Sequence, residues 1–271
     1  NAKKNKLDKQ FETFMKQEDL NCSLIGICDL FDVRANQGLD ASRNKIRPGG
    51  KPRSTATRYR HYTDLLANDE IDAVIVATPD HWHARIAMDA AKAGKHVYCE
   101  KGLTRTFDEA ILLHDIIKQT GITFQLGHQN RQVEANEKAK QIIRQGLLGK
   151  VNLVELATNR NSPWGAWVWD IHPKGNAKTI DWNTFQEPSP NKIPFGEEAL
   201  KRFFRWRCWF DYGTGLSGDL LSHDFDAINQ IMELGIPKYA SSTGGIYFYK
   251  DGRDVPDVWN ATFEYPDKDL T

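Results

Sequence analysis

The first 22 residues of this chain hold no glycine. A glycine-rich turn that cradles a phosphate therefore has no place ahead of Ser23. The four cysteines, Cys22, Cys28, Cys99 and Cys208, include no C-x-x-C pair, which excludes a zinc clip and argues against a disulfide framework. They read as buried free thiols, and such thiols fit a reducing compartment. Neither sign of charge is in excess: 36 Lys and Arg face 36 Asp and Glu, so there is no electrostatic footprint for nucleic acid or an anionic membrane surface. No apolar run approaches the roughly 20 residues that a membrane span needs. No metal cluster, internal repeat or low-complexity stretch stands out. No signal segment is visible, but the chain opens inside a helical pattern, so a preceding strand is expected upstream of Asn1.

What is present is an ordinary globular balance. The 271 residues are 40% apolar and 27% charged, enough for a large core and two domains. The most informative stretch is Asp72-Ala73-Val74-Ile75-Val76-Ala77-Thr78-Pro79-Asp80, followed by Lys95-His96-Val97-Tyr98-Cys99-Glu100-Lys101. Each is an apolar run that ends abruptly in polar residues. A helical segment, Trp82 to Ala93, lies between them and is closed by Gly94. That is the strand–helix–strand unit of a parallel, doubly wound sheet, whose ligands bind at the carboxyl edge of the strands.

The same reading predicts a helix over 5–18 and a buried strand from Ser23 to Cys28. A loop or insertion follows over 36–58, and a short helix begins at a Thr63 cap. Thr106 and Glu109 form a capping box for a helix to Gln119, which Gly121 closes. A strand over 122–126 and a helix over 133–145 follow. Strand character returns over 151–158, 245–249 and 258–265, the last two alternating as a one-sided antiparallel sheet does. The domain boundary falls near Gly127. Residues 1–127 would be a dinucleotide-binding domain lacking its first strand, and 128–271 an α+β domain incomplete at its C-terminal end.

Five features carry chemistry. Asp29 closes the first strand, where an acidic residue accepts bonds from an adenosine ribose and disfavours a 2′-phosphate. An Asp entering a turn is the plainer account, and Arg34 leaves NADP open. Asp80 can cap the helix after Pro79, which places His81 and His83 in its first turn beside the crevice. Surface histidines are the alternative there. Lys101 ends a central strand, where a lysine can donate to a substrate oxygen and Glu100 can orient it. Three glycines, Gly213, Gly215 and Gly218, lead into a helix on which Asp219 and His223 share a face, as a general base and its partner would. A capping Asp and a satisfied His would look the same. Finally, six of the eight tryptophans fall within 164–209, interspersed with Asn159, Arg160, Asn161, His172, Arg205 and Arg207. Flat apolar faces beside bidentate donors suit a sugar ring, and they equally suit a buried interface.

Taken together, the Ala77-Thr78-Pro79 turn, Glu100-Lys101 and Asp219-x-x-x-His223 resemble the Gfo/Idh/MocA family of NAD(P)-dependent oxidoreductases. The resemblance runs over nearly the whole chain. It implies a Rossmann domain followed by an α+β domain with an open, mainly antiparallel sheet that often joins subunits, hence a homo-oligomer. It implies NAD as cofactor and a sugar, inositol or related polyol as substrate. By that resemblance Lys101 would bond the reacting oxygen, His223 would exchange its proton and Asp219 would support both. Asp29, Thr78, Pro79, His81, His83, Glu100, Lys101 and Gln129 would line the cofactor. Arg131, Trp164, Trp206 and Arg207 would join the catalytic three around the substrate. Where the family commonly has E-K-P this chain has Gly102, which is expected to loosen Lys101. The compartment is expected to be cytoplasmic, with the periplasm as alternative. Two rival activities share the motifs: a glycosidase working through transient oxidation, and a non-catalytic dinucleotide sensor or scaffold.

Overall fold

The computed structural model describes residues 21–43, 55–159, 163 and 165–271. The helix expected over 5–18 lies outside the described residues. The chain divides into two compact units, one comprising 1–72 with 173–185 and the other 73–172 with 186–271. The boundary expected at Gly127 runs inside the second unit. What does change there is the pairing: every strand up to Gly127 pairs in parallel, and the later pair is antiparallel.

In the first unit, β1 (Gly26–Cys28) pairs in parallel with β2 (Thr57–Tyr59) across the helix α1 (Asp32–Ser42). The expectation of a loop over 36–58 is corrected here by α1 and β2. Gly38 packs the helix on the strand: a Cβ at that position would stand 3.1 Å from the Ile27 side chain. Residues 173–185 add an extended contact to this unit. Asp32 N donates to Thr179 O (2.9 Å) and Asp181 N to Leu30 O (2.9 Å), and the short helix α6 (Trp182–Phe185) stacks its two aromatic rings at 5.2 Å. The short helix α2 (Tyr62–Leu66) is capped by the His61 ring, which accepts from Thr63 N at 3.3 Å, rather than by Thr63 itself.

In the second unit the sheet order is β3 (Ala73–Val76), β4 (His96–Glu100), β5 (Phe124–Gly127), all parallel. Val76, Val97 and Cys99 are buried on the face against which α3 (Asp80–Lys92) packs, and α4 (Phe107–Thr120) packs on α3. Ala87, Ala90 and Ala91 are fully buried, so α3 lies close on its neighbours. Burial lifts the Cys99 thiol to about 12, which keeps it an inert filler. Alternate residues point the other way, and there Ile75 is 77% exposed. The capping box of α4 forms as the spacing dictates. Thr106 Oγ1 accepts from Glu109 N (3.1 Å), Glu109 Oε2 accepts from Thr106 N (3.3 Å), and Gly121 ends the helix at φ 65°.

After β5 come α5 (Glu134–Arg144), α7 (Glu197–Phe204) and α8 (Ser222–Met232). A two-stranded antiparallel sheet follows, β6 (Tyr239–Gly245) with β7 (Val258–Glu264). Phe225 of α8 packs on Phe263 of β7 at 4.8 Å. Two strand expectations are corrected. Residues 151–158 form no strand: their only backbone ladder bonds among the described residues run between 152–154 and Thr271. The strand placed over 245–249 lies earlier, at Tyr239–Gly245, because Asp257 accepts the N–H groups of Tyr247, Phe248 and Tyr249 and folds that stretch into a turn. No helix among the described residues is long and apolar enough to cross a membrane.

Candidate functional site

The first turn of α3 gathers three chain segments. His83 is 1% exposed, and its ring nitrogens meet Gly102 O at 2.9 Å and Thr78 O at 2.6 Å. His81 N donates to Tyr212 O (3.2 Å), and its ring lies edge-on to Tyr212 at 5.1 Å. Asp80 does not cap its helix, whose cap residue is Pro79. Its Oδ2 instead accepts from Thr214 N (3.0 Å) and Thr214 Oγ1 (2.6 Å). Burial raises the Asp80 carboxyl above its ordinary range, against the Thr214 bonds and the nearby His83. The His83 ring thus ties residue 78 to residue 102, while His81 meets Tyr212 through its amide and the edge of its ring. The expectation that Gly102 loosens Lys101 is corrected by the same contacts. A Cβ on Gly102 would stand 2.8 Å from Asp80 Cγ, Asp80 Oδ2 and Thr214 Oγ1, so the space beside residue 102 is already filled.

Lys101 follows the last residue of β4. Its Nζ donates to Asp219 Oδ1 at 2.6 Å and to Asp219 O at 2.5 Å. Glu100 is not its partner: Tyr98 Oη donates weakly to Glu100 Oε1 at 3.4 Å, and the side chain stays beside Gly127. Asp219 sits in a wide π turn, Ser217–Leu221, that opens into α8. Gly218 is required there, because the Thr214 side chain occupies the place of a Cβ, with Oγ1 at 1.9 Å. Arg207 is the third member. Its Nε donates to the same Asp219 Oδ1 at 2.8 Å while its guanidinium lies over the Trp206 ring at 4.0 Å. Burial alone would push the Asp219 carboxyl up, but Arg207 and Lys101 outweigh it and hold the group below its ordinary range. His223, one turn on, is shifted down by burial first, then by Lys101 and by His128. It is therefore neutral at neutral pH and free to accept a proton.

Sequence reasoning missed His128 and Asp226. The short 3₁₀ turn Gln129–Gln132 after β5 brings Arg131 onto α8. Arg131 Nε donates to Asp226 Oδ1 (2.8 Å) and Oδ2 (2.9 Å), and its Nη2 reaches Oδ1 at 2.7 Å. His128 Nδ1 stands 3.3 Å from the same carboxylate, and its ring is 5.9 Å from that of His223. A signal was available: Asp226 lies three residues beyond His223, on one helix face with it. Gln129 is exposed in that turn. Of the tryptophans, Trp167 and Trp209 are core, Trp182 belongs to the first unit, and Trp206 alone stands at this cluster among the described residues. Trp164, Arg160 and Asn161 lie outside the described residues.

One observation fits a dinucleotide. Thr78 Oγ1, just past β3, is buried with no hydrogen-bond partner among the described residues, an acceptor and donor left over at a ligand-binding edge. At the end of β5, Gly127 leaves no room for a side chain: a Cβ would crowd Tyr98 Oη at 2.9 Å and Glu100 Oε2 at 3.1 Å. In the first unit, Asp29 ends β1 and spends one oxygen on Phe31 N (2.8 Å), the turn role its sequence context allowed. Burial raises its carboxyl above the ordinary range.

Comparison with known proteins accords with this geometry. Residues 17–128 match the model of an oxidoreductase family with an NAD-binding Rossmann fold. A levoglucosan dehydrogenase of Pseudarthrobacter phenanthrenivorans is 26% identical over 194 residues, 68% of this chain and 41% of that protein. A glycosyl hydrolase family 109 protein of Shewanella sp. is 29% identical over 203 residues, 73% of this chain and 42% of that protein. The structure of a levoglucosan dehydrogenase with NADH and levoglucosan superposes with a TM-score of 0.60 at 20% identity, covering 96% of this chain and 59% of that one. This chain thus spans about two fifths of the length of those curated relatives. Over residues 17–128 the chain is thus similar to the Gfo/Idh/MocA family of oxidoreductases.

Proposed function

We propose that the chain carries the hydride-transfer centre of an NAD-dependent dehydrogenase acting on a secondary hydroxyl of a sugar or cyclic polyol. The observation that carries this reading is the meeting of Lys101 with Asp219 at 2.6 Å, one helical turn before His223. NAD, when bound, supplies the hydride acceptor. Thr78, Glu100 and Gln129 of the second unit would hold it, with Pro79 shaping the edge. Lys101 donates to the hydroxyl oxygen as that oxygen gains negative charge, and His223 takes its proton. Asp219 keeps the ammonium in place, and Arg207 keeps Asp219 ionised. Arg131 and Trp206 border the substrate. The relatives' names, sugar dehydrogenase and glycosyl hydrolase, support a carbohydrate.

The test is a panel of sugars, anhydrosugars and inositols with NAD, followed by NADH absorbance. Lys101→Met should lower kcat by roughly 10²–10³-fold with NADH binding retained. Turnover within a few-fold of the parent would remove Lys101 from the reaction. The glycosyl hydrolase relative supports a second reading, in which oxidation is transient and a glycoside is eliminated. Release of a sugar without accumulating NADH would select it. We also infer a homo-oligomer through β6 and β7, supported by the exposed row Ser241, Thr243, Asn260 and Thr262 on their outer face. Light scattering that reports a monomer would end that inference.

A further inference from the structure

The Asp80 contacts have a consequence for the lysine. Lys101 is a long side chain, and fixing it costs rotamer freedom. It nevertheless makes two short bonds to one residue, Asp219 O and Oδ1, 118 positions away in the chain. Both bonds require that the backbone at 101–102 and the start of the π turn stay at a fixed separation. Thr214 is the piece wedged between them. Its Oγ1 occupies the space beside Gly102 and also the space beside Gly218, next to Asp219. Asp80, 3% exposed, receives both the amide and the hydroxyl of Thr214 on one carboxylate oxygen. His83 holds Gly102 O from the same helical turn.

We propose that Asp80 is a positioning residue, which by clamping Thr214 between Gly102 and Gly218 sets the distance at which Lys101 and Asp219 meet. It touches neither substrate nor cofactor in this scheme and acts through Thr214. An asparagine keeps one amide oxygen to accept both Thr214 bonds, whereas an alanine keeps none. Displacement of a catalytic group by about 1 Å can lower turnover by 10²-fold, so the loss should fall on kcat.

This inference rests on the dehydrogenase reading for its kinetic arm but not for its structural arm. In the structural arm, Gly102→Ala is made in the parent and in Asp80→Ala/Thr214→Ala, and melting temperatures are compared. The added methyl should lower Tm by roughly 2–6 °C in the parent and by much less in the double variant, where all three colliding atoms are gone. Equal losses in both backgrounds would overturn the clamp. In the kinetic arm, the sugar that the parent oxidises best is used with Asp80→Ala and Asp80→Asn. Asp80→Ala should lose about tenfold or more in kcat with NADH affinity unchanged, and Asp80→Asn should recover most of it. Equal kcat for the two, or a loss confined to KM, would overturn the positioning role. If the parent oxidises no sugar, the melting comparison alone decides: non-additivity upholds the clamp while the dehydrogenase reading fails.

Discussion

Two carboxylates stand seven residues apart at the head of α8, and each is a buried acid gripping an arginine and a second basic group. Asp219 holds Lys101 and Arg207; Asp226 holds Arg131 and His128. The resemblance ends at the partners. Lys101 is nearly covered, with its side chain 13% exposed, and it comes from the carboxyl edge of the parallel sheet. Arg131 is 53% exposed and clasps Asp226 through a bidentate fork. A fork of that kind fixes the turn after β5 against α8. A lysine held by one carboxylate oxygen and one carbonyl can exchange those bonds for a substrate's. On the proposed function the same chemistry serves reaction at one site and posture at the other, and His223 lies between them.

The largest effect expected from this contrast is kinetic. Asp219→Asn leaves Lys101 and Arg207 without their anion and should lower kcat by roughly 10²-fold, whereas Asp226→Asn should cost tenfold or less. Equal losses would erase the distinction. The next effect is on stability. Asp226→Asn removes the charge from a bidentate pair with a partly exposed arginine and should cost about 1–3 kcal/mol, read from urea unfolding. An unchanged midpoint would mean that Arg131 does not fix the turn.

Acid unfolding sharpens the comparison further. The Asp219 carboxyl lies below its ordinary value of 3.8 when folded, so its contribution is complete above that pH and fades as pH falls through the depressed folded value. Melting temperatures below about pH 4 should therefore drop more steeply in the parent than in Asp219→Asn. Parallel curves would show that Lys101 and Arg207 do not hold the group ionised. The smallest effect concerns His128. It helps keep His223 below its ordinary 6.5, after burial and Lys101. A base must be deprotonated, so the rate should rise with pH through the His223 value. His128→Asn should move that rise to higher pH with the plateau kept. An unmoved limb would separate His128 from the reacting imidazole.

Periodicity and punctuation made much of this legible. The apolar runs before Thr78 and Lys101, the Thr106/Glu109 box and Gly121 are local devices whose partners lie within four residues, so they form wherever the chain runs. Lys101, Asp219 and His223 likewise stand at the strand and helix ends that the sequence assigned them. Residues 151–158 show the limit: they alternate as a strand does, yet a strand exists only through a neighbour's ladder.

What the sequence by itself determined, then, is the alternation of strand and helix from Ala73 to Gly127 and which side chains stand at those ends, because turn chemistry and hydrophobic period act over a few residues. Only the tertiary structure decided who holds whom. It gave Lys101 to Asp219 rather than to adjacent Glu100, tied Asp80 to Thr214 and His83 to Gly102, and brought His128 and Arg131 to Asp226. Those choices depend on atoms some 95 to 134 positions apart arriving within 3 Å or so of each other, and no local rule encodes such a meeting.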